Sequence, residues 1–195
     1  MIKGSERREA DYPVDELFLD RWSPRALSGE EMSEEELLTL FEAARWAPSS
    51  YNNQPWRILY ARRGSEYWPT FLGLLVEGNR AWAEKAAALL VFVSKETFDF
   101  NGQPYPTHSC DTGAAWENLA LQASLNGLVA HGMQGFDYER ARTELRIPEG
   151  FRVEAMAAVG KPGKTEDLPQ HLQEREVPSP RKKLAEVICE GPFRF

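Results

Sequence analysis

The chain of 195 residues is long enough for one domain with a substantial core, and its composition, 42% hydrophobic and 27% charged, is typical of a globular protein. Its 30 acidic and 23 basic residues give a formal net charge of −7. This charge argues against general nucleic-acid binding, which needs a broad basic surface. It still allows a small anionic ligand held by a few arginines.

Cysteine usage and the length of apolar runs indicate the cellular compartment of the protein. Cys110 and Cys189 form no CxxC motif, which favours a reduced protein over a disulfide-linked secreted one. Residues 1–13 lack the apolar segment of a signal peptide, and the longest apolar run, 86–93, is too short to span a bilayer. We therefore expect a cytoplasmic protein.

Hydrophobic periodicity predicts helices and strands in alternation. Helices are predicted at about 14–20, 34–46, 67–76, from 81, 111–125 and 138–145. Strands are predicted at about 57–61, 88–94, 129–134 and 153–159. Ser33 and Glu36 have the spacing of a capping box at the second helix. This mixture predicts an α+β or α/β domain.

Two regions indicate how the chain is organised. The helix predicted at 111–125 is apolar on nearly all sides, which is typical of a central helix or of one at a subunit interface. From Lys161 onward the composition becomes polar and rich in proline. We interpret residues 1–195 as a single domain, with a core at about 14–160 and an extended C-terminal arm at about 161–195.

Three segments carry polar groups suited to a ligand. Arg21 and Arg25 flank Ser23, and guanidinium and hydroxyl groups together bind phosphate well. Segment 48–56, Pro-Ser-Ser-Tyr-Asn-Asn-Gln-Pro-Trp, presents hydrogen-bonding side chains between two prolines, which suits a planar heterocycle. Gly135 follows a predicted strand and permits close approach of a flat ligand. Taken singly, each segment is better explained as a solvated surface pair or a turn.

Familiar catalytic motifs are absent from the sequence. It contains no GxSxG nucleophile elbow, no GxGxxG dinucleotide motif and no P-loop. The three histidines, His108, His131 and His171, lack convincing metal-ligand spacing. We therefore predict no metal site and no hydrolytic mechanism.

Five segments occur together in one order, and this order is specific. They are Arg21-Trp22-Ser23-Pro24-Arg25, the segment 48–56, Asn79-x-x-Trp82, Gly113-x-x-x-x-Asn118-Leu119 and Gln134-Gly135-Phe136-Asp137. Together they resemble the FMN-dependent nitroreductase family, and segment 48–56 is the most distinctive of them. The resemblance continues into 181–187 and covers about residues 14–188.

The resemblance implies a fold and an assembly. The implied fold is α+β, with a mixed, antiparallel-rich central sheet flanked by helices. The implied assembly is a homodimer with two FMN sites at its interface, in which each C-terminal arm wraps the other subunit.

The resemblance also implies which residues bind the FMN phosphate. Arg21 and Ser23 match phosphate contacts of the family. Arg181 matches a late basic phosphate contact, with Lys182 and Lys183 as further helpers.

The flavin ring is implied to meet a second set of residues. Arg25 matches the basic residue at the pyrimidine edge near N1 and O2, and Asn79 matches a side chain at that edge. Gln134 and Gly135 match the segment whose backbone N–H faces flavin N5. Residues supplied by the opposite subunit are matched by Pro48, Ser49, Ser50 and Asn52.

The sequence departs from the family pattern in two places. Trp82 stands where some members carry a second basic residue three positions after the asparagine. Segment 95–108 is short where larger members insert a helical lid. Phe98, Phe100 and Tyr105 are candidates to cover the flavin face there, and core or surface packing explains each of them equally well.

The implied activity is that of an FMN-dependent oxidoreductase. NADH or NADPH reduces the flavin and leaves, and a nitroaromatic, quinone or related conjugated acceptor then takes the electrons in a ping-pong mechanism. No side chain has to act as nucleophile or general base, because the cofactor does the chemistry. Two alternatives stay open: a narrow-specificity metabolite reductase or dehydrogenase of the same family, and a flavin-binding carrier or sensor with little turnover. The expected partners are a second copy of the chain and a small-molecule acceptor, with no nucleic acid and no membrane.

Overall fold

A computed structural model describes residues 2–195 of the chain. At its centre lies a four-stranded sheet with the strand order β1-β2-β4-β3. Its strands are β1 (Trp56–Arg62), β2 (Ala88–Lys95), β3 (Val129–Met133) and β4 (Phe151–Gly160). All three pairings between these strands are antiparallel, which agrees with the α+β class. The predicted mixed sheet is corrected for residues 2–195, because no parallel pairing joins their strands.

Helices cover both faces of this sheet. They are α1 (Glu16–Asp20), α2 (Glu34–Arg45), α3 (Trp68–Leu74), α4 (Glu77–Ala83), α5 (His108–Leu125), α6 (Tyr138–Glu144) and α7 (Gln170–Gln173). Every predicted helix is found, with α4 beginning four residues earlier than the sequence pattern suggested, while α7 was not predicted. The predicted strands are also found, each within about two residues of its expected ends.

The capping box predicted for α2 is present. Ser33 Oγ accepts a hydrogen bond from the Glu36 amide at 3.1 Å, and a Glu36 carboxylate oxygen accepts one from the Ser33 amide at 2.7 Å. These two bonds satisfy backbone donors that a helix start leaves unpaired. They fix the helix so that Leu40 is fully buried against the sheet and α5.

Strand β2 separates two apolar layers. Leu89, Val91 and Val93 belong to the cluster that includes α3, α4 and α6, whereas Leu90 and Phe92 belong to the cluster that includes α2 and α5. Successive side chains of a strand point to opposite faces, so a strand buried on both faces is mostly apolar. The prediction of a strand buried on both faces is confirmed.

Helix α5 is less enclosed than its composition suggests. Ala115, Leu119 and Ala123 are fully buried against the sheet, while Leu125 at the end of the helix is 64% exposed. The helix ends where Gly127 adopts a φ of +68°, a conformation that glycine tolerates without strain. One side of α5 is therefore packed in the core, and apolar surface remains on another.

The chain after β4 first packs on the domain and then leaves it. Leu168 and Leu172 are buried in the layer that contains α3 and α4, and Glu176 is 4% exposed. From Ser179 to the end every residue is exposed. The extended part of the arm thus begins at about residue 179 rather than at Lys161, because leucines in the first part of the polar segment anchor it to the core.

Among residues 2–195, no helix has both the length and the apolar character required to cross a lipid bilayer. Cys110 and Cys189 are exposed thiols that form no disulfide in this part of the chain.

Candidate functional site

The segment after α1 brings the first predicted pair together. Arg21 Nη1 lies 3.5 Å from Ser23 Oγ, and Arg21 Nε lies 3.5 Å from a Glu117 carboxylate oxygen on α5. The Arg21 side chain is 15% exposed, so it lies against the domain rather than extending into solvent. In residues 2–195 only one hydroxyl and one carboxylate meet its guanidinium, which leaves N–H donors to bind an anion.

A third arginine, which sequence reasoning missed, joins this region. Arg8 Nη1 donates hydrogen bonds to the backbone carbonyls of Leu19 and Arg21, each at 2.8 Å, and Arg8 Nε donates to the Ser179 carbonyl at 2.9 Å. Burial lowers the pKa of Arg8, and the positive charges of Arg181 and Arg21 lower it further. Arg8 thus lies within electrostatic reach of both predicted phosphate-binding arginines.

The C-terminal arm contributes further cations beside Arg8. A groove between the N-terminal segment and the arm is lined by the basic residues Arg7, Arg8, Arg181, Lys182 and Lys183. Glu9 and Asp11 line it too, and Lys183 Nζ lies 3.8 Å from an Asp11 carboxylate oxygen. In a chain with a net charge of −7, this groove is a local concentration of positive charge.

A buried carboxylate binds the backbone at Arg25. Glu176 Oε1 accepts hydrogen bonds from the backbone amides of Arg25 at 2.7 Å and Ala26 at 2.8 Å. Its other oxygen, Oε2, is buried without a hydrogen-bond partner among residues 2–195. Burial lowers the pKa of Arg25, and the charge of Glu176 opposes that shift. No sequence signal distinguished Glu176 from the other acidic residues of the polar segment.

The predicted residues Asn79 and Gly135 are in direct contact. Asn79 Nδ2 donates a hydrogen bond to the Gly135 carbonyl at 3.0 Å, and the Val76 amide donates to the same oxygen at 3.1 Å. A Cβ atom added to Gly135 would lie 2.7 Å from Asn79 Nδ2 and 3.0 Å from a Val76 methyl carbon. Glycine is therefore required for the approach of α4 to the end of β3. Gln134, just before it, is exposed.

His131 connects the segment around Arg25 with the elements that carry Asn79 and Gly135. Its Nδ1 lies 2.9 Å from the Pro24 carbonyl, between the predicted site residues Ser23 and Arg25, and its ring packs on Trp82 at a centroid distance of 4.5 Å. A carbonyl only accepts, so Nδ1 carries the proton of the neutral ring. Burial lowers the pKa of His131 to about 4. The segment around Pro24, helix α4 and strand β3 thus converge on one histidine.

The loop at 48–56, which lies between two prolines, is strained and faces outward. It forms a 3₁₀ turn at Ser50–Asn52, and Tyr51, Asn52 and Gln54 adopt φ angles of +52°, +53° and +49°. Such left-handed conformations are uncommon for residues other than glycine and concentrate at functional sites. The Ser50 amide donates to an Asp111 carboxylate oxygen at 2.9 Å, which ties the loop to α5.

The same loop does not join the arginine cluster within one chain. In the part of the chain that the structure describes, no hydrogen bond or ion pair links the predicted residues of this loop, Pro48, Ser49, Ser50 and Asn52, to Arg21, Arg25, Asn79 or Gly135. The predicted site residues therefore fall into two separate groups.

Comparison with known proteins identifies the family. The model of the Nitroreductase family matches residues 19–75. A solved structure described as an oxidoreductase containing FMN is 50% identical, with a TM-score of 0.93 and coverage of 99% of both chains. The chain belongs to the nitroreductase family. A putative nitroreductase in complex with FMN from Desulfovibrio desulfuricans is 26% identical, with a TM-score of 0.71 and coverage of 95% of this chain and 100% of that one.

Two curated relatives are less similar to this chain than the FMN-containing oxidoreductase is. A putative NADH dehydrogenase/NAD(P)H nitroreductase of Streptomyces coelicolor is 26% identical over 170 residues, which cover 76% of this chain and 85% of that protein. An uncharacterized 15.4 kDa protein of Mycolicibacterium smegmatis is 34% identical over 137 residues, 66% of this chain and 90% of the other. Membership confirms the resemblance and the nitroreductase-like α+β fold.

Two departures from the family pattern have structural explanations. Trp82 is 2% exposed and packs in the core of this nitroreductase-family chain, so it does not replace a basic side chain at a ligand edge. In segment 95–108, Tyr105 is 1% exposed, stacks on Phe98 at 4.2 Å and hydrogen-bonds Asp111. Phe100 is 63% exposed, which leaves it as the most accessible aromatic residue of that segment.

Gly135→Ala should displace the Asn79 side chain. The added methyl group overlaps Asn79 Nδ2, so the 3.0 Å hydrogen bond to the residue-135 carbonyl has to break or the loop has to shift. We expect a loss of about 1–3 kcal/mol in the free energy of unfolding, measured by urea denaturation. Gly78→Ala is the matched control, because a Cβ at Gly78 meets nothing within 4 Å. Equal stability of the two variants would contradict the proposed close approach.

Proposed function

We propose that this nitroreductase-family protein is an FMN-dependent oxidoreductase that takes electrons from NADH or NADPH and reduces nitroaromatics, quinones or related conjugated acceptors by a ping-pong mechanism. The observation that carries the proposal is the convergence of the segment around Pro24, helix α4 and strand β3 on His131. That convergence connects the Arg21–Arg25 segment, through His131, to the helix that carries Asn79 and the strand that precedes Gly135. FMN is present in two similar solved structures.

The donor set of the chain fits FMN. A phosphate monoester and the carbonyl groups of a flavin accept hydrogen bonds, so they require donors and positive charge. Arg21 and Ser23 provide donors for the phosphate, and the basic groove with Arg181, Lys182 and Lys183 lies beside them on the arm. Arg25 and Asn79 provide a cation and an amide for the pyrimidine edge.

When bound, FMN supplies a hydride acceptor and donor at N5 of its ring. The chain contributes position and charge. Arg25 places a cation whose electrostatic effect favours negative charge at the pyrimidine edge. Gln134 and Gly135 would offer backbone groups to the ring, and the missing side chain of Gly135 leaves room for Asn79 beside them.

We propose that the active unit is a homodimer. In this assembly Pro48, Ser49, Ser50 and Asn52 of the partner subunit complete each site. The arm contacts residues 8 and 11 of its own chain at Ser179 and Leu184, and its end wraps the other chain. Support comes from the separation of the loop from the arginine cluster within one chain. The exposed arm also carries apolar side chains that would otherwise contact water: Leu184, Val187, Ile188, Phe193 and Phe195.

A direct experiment tests the function. Purified protein is reconstituted with FMN, its visible spectrum is recorded, and NADH or NADPH is added without oxygen. We expect a yellow protein that bleaches with at least one nicotinamide and regains its colour with a quinone or nitroaromatic acceptor. Failure to take up FMN would refute the proposal. Uptake without reduction by either nicotinamide would indicate a carrier or sensor instead. Parallel lines in double-reciprocal plots with both substrates varied would support ping-pong kinetics.

Arg21→Ala should weaken FMN binding. A charge-assisted hydrogen bond to phosphate contributes roughly 1.5–3 kcal/mol, so we expect the Kd for FMN to rise by about one to two orders of magnitude. Fluorescence quenching of FMN on binding measures the Kd. Arg62→Ala is the control, because Arg62 is an exposed arginine at the end of β1. An unchanged Kd in the Arg21 variant would remove Arg21 from the site.

A further inference from the structure

Arg8 joins the N-terminal and C-terminal parts of the chain. Its guanidinium donates to the carbonyls of Leu19 and Arg21 at the end of α1 and to the carbonyl of Ser179 at the start of the arm. Residues 8 and 179 are separated by 171 positions in the sequence. Arg8 lies in none of the motifs that identify the family in this chain.

The position of Arg181 depends on such an anchor. Its guanidinium bonds only to its own neighbourhood within residues 2–195, namely the Ser179 carbonyl and hydroxyl and the Pro180 carbonyl. The arm around it is exposed. The bond from Arg8 to the Ser179 carbonyl therefore determines where Arg181 lies relative to the domain. A second, more exposed anchor follows where the Leu184 amide donates to Asp11 at 3.2 Å.

The arrangement places like charges close together. Arg8 carries a lowered pKa because it is partly buried and because Arg181 and Arg21 are near it. Three guanidinium groups in one region repel one another unless an anion lies between or beside them. A phosphate dianion is the group that would turn this repulsion into attraction.

We propose that Arg8 is a positioning residue of the phosphate site: it clamps the end of α1 to the C-terminal arm, so that Arg21 and Arg181 act on the same phosphate monoester. This inference rests on the proposed function, since the phosphate is that of FMN. Arg8 acts through the backbone of Arg21 and Ser179, and its planar fork suits the three carbonyls better than a lysine would.

The test compares FMN with riboflavin, which lacks the phosphate. Kd values for both flavins are measured by fluorescence with the full-length chain. The Kd for riboflavin divided by the Kd for FMN reports the contribution of the phosphate. We expect Arg8→Ala to raise the Kd for FMN about tenfold and to leave the Kd for riboflavin unchanged, so that the ratio falls about tenfold. Arg7→Ala is the matched control, because Arg7 is an exposed neighbour that lines the same groove without these bonds.

The other outcomes of this binding test distinguish a failure of the Arg8 proposal from a failure of the proposed function. An equal loss of affinity for both flavins, or no loss for either, would overturn the role of Arg8. If Arg8→Ala does not fold, Arg8→Lys keeps the charge and removes the fork, and a ratio equal to that of the unsubstituted protein would overturn the inference. If the unsubstituted protein itself binds neither flavin, the proposed function fails, which is a result distinct from a failure of the Arg8 proposal.

Discussion

Replacing Glu176 with alanine is expected to lower the free energy of unfolding by about 3 kcal/mol. The Glu176 carboxylate is 4% exposed, and one of its oxygens accepts from the amides of both Arg25 and Ala26. Truncation leaves two backbone donors without that acceptor and opens a cavity, and both effects are destabilising. Urea denaturation at a fixed protein concentration measures the change, because the stability of an oligomer depends on concentration.

Two variants define what the Glu176 experiment means. Glu176→Gln keeps an oxygen that accepts from both amides and loses only the charge, so a cost of about 1 kcal/mol is expected. Glu174→Ala, at an exposed position two residues earlier, should change stability by less than about 0.5 kcal/mol. If the Glu176→Ala variant were as stable as the Glu174→Ala variant, the carboxylate would not anchor the end of the domain.

Acidification is expected to remove about 3 kcal/mol of stability through His131 between pH 7 and pH 4. The ring is neutral in the folded protein down to a pKa of about 4, because it is buried against Trp82 and lies near the positive charge of Arg25. In the unfolded chain the ring takes up a proton near pH 6.5. Across this window the unfolded state binds more protons, so stability is full above pH 6.5 and falls as the pH drops towards 4.

Comparison with a variant that lacks only His131 isolates this contribution. His131→Gln retains a side-chain donor for the Pro24 carbonyl and removes the titration. Urea denaturation of flavin-free protein at pH 7.5 and pH 4.5 should show a smaller pH-dependent loss in the variant than in the unsubstituted protein. The carboxylates titrate in both proteins, so their effect cancels in the comparison. Equal losses would show that His131 does not stay neutral when folded.

Local patterns predicted most of the secondary structure because local forces determine it. The apolar run of β2 and the capping box of α2 act over a few residues, and both predictions are confirmed. Helix α4 starts earlier than predicted, at Glu77 with Val76 as its N-cap. The glycine next to this start has low helix propensity, so the sequence pattern predicts the helix only further along. Segment 161–176 was interpreted as part of the arm because its polar composition hides two leucines that the core buries.

The candidate site was predictable only where family motifs contain its residues. Asn79 and Gly135 are 56 positions apart, and their contact is present in the structure. Arg8 and Glu176 were missed because each is a single charged residue in a charged segment, with partners up to 171 positions away. The roles assigned to Pro48, Ser49, Ser50 and Asn52 stay predictions, because they depend on a second chain.

The hydrogen bonds of Glu176 also bear on the order in which parts of the protein form during synthesis. Ribosomes build a chain from its N-terminus, and early segments fold while later ones are still being added. Arg25 emerges early, but the carboxylate that holds its backbone lies 151 positions later in the sequence. The four strands of the sheet are all made before Glu176, so the Arg25 backbone receives its partner only after the sheet can assemble. Nascent chains should therefore acquire their fold before they acquire the ability to retain a cofactor.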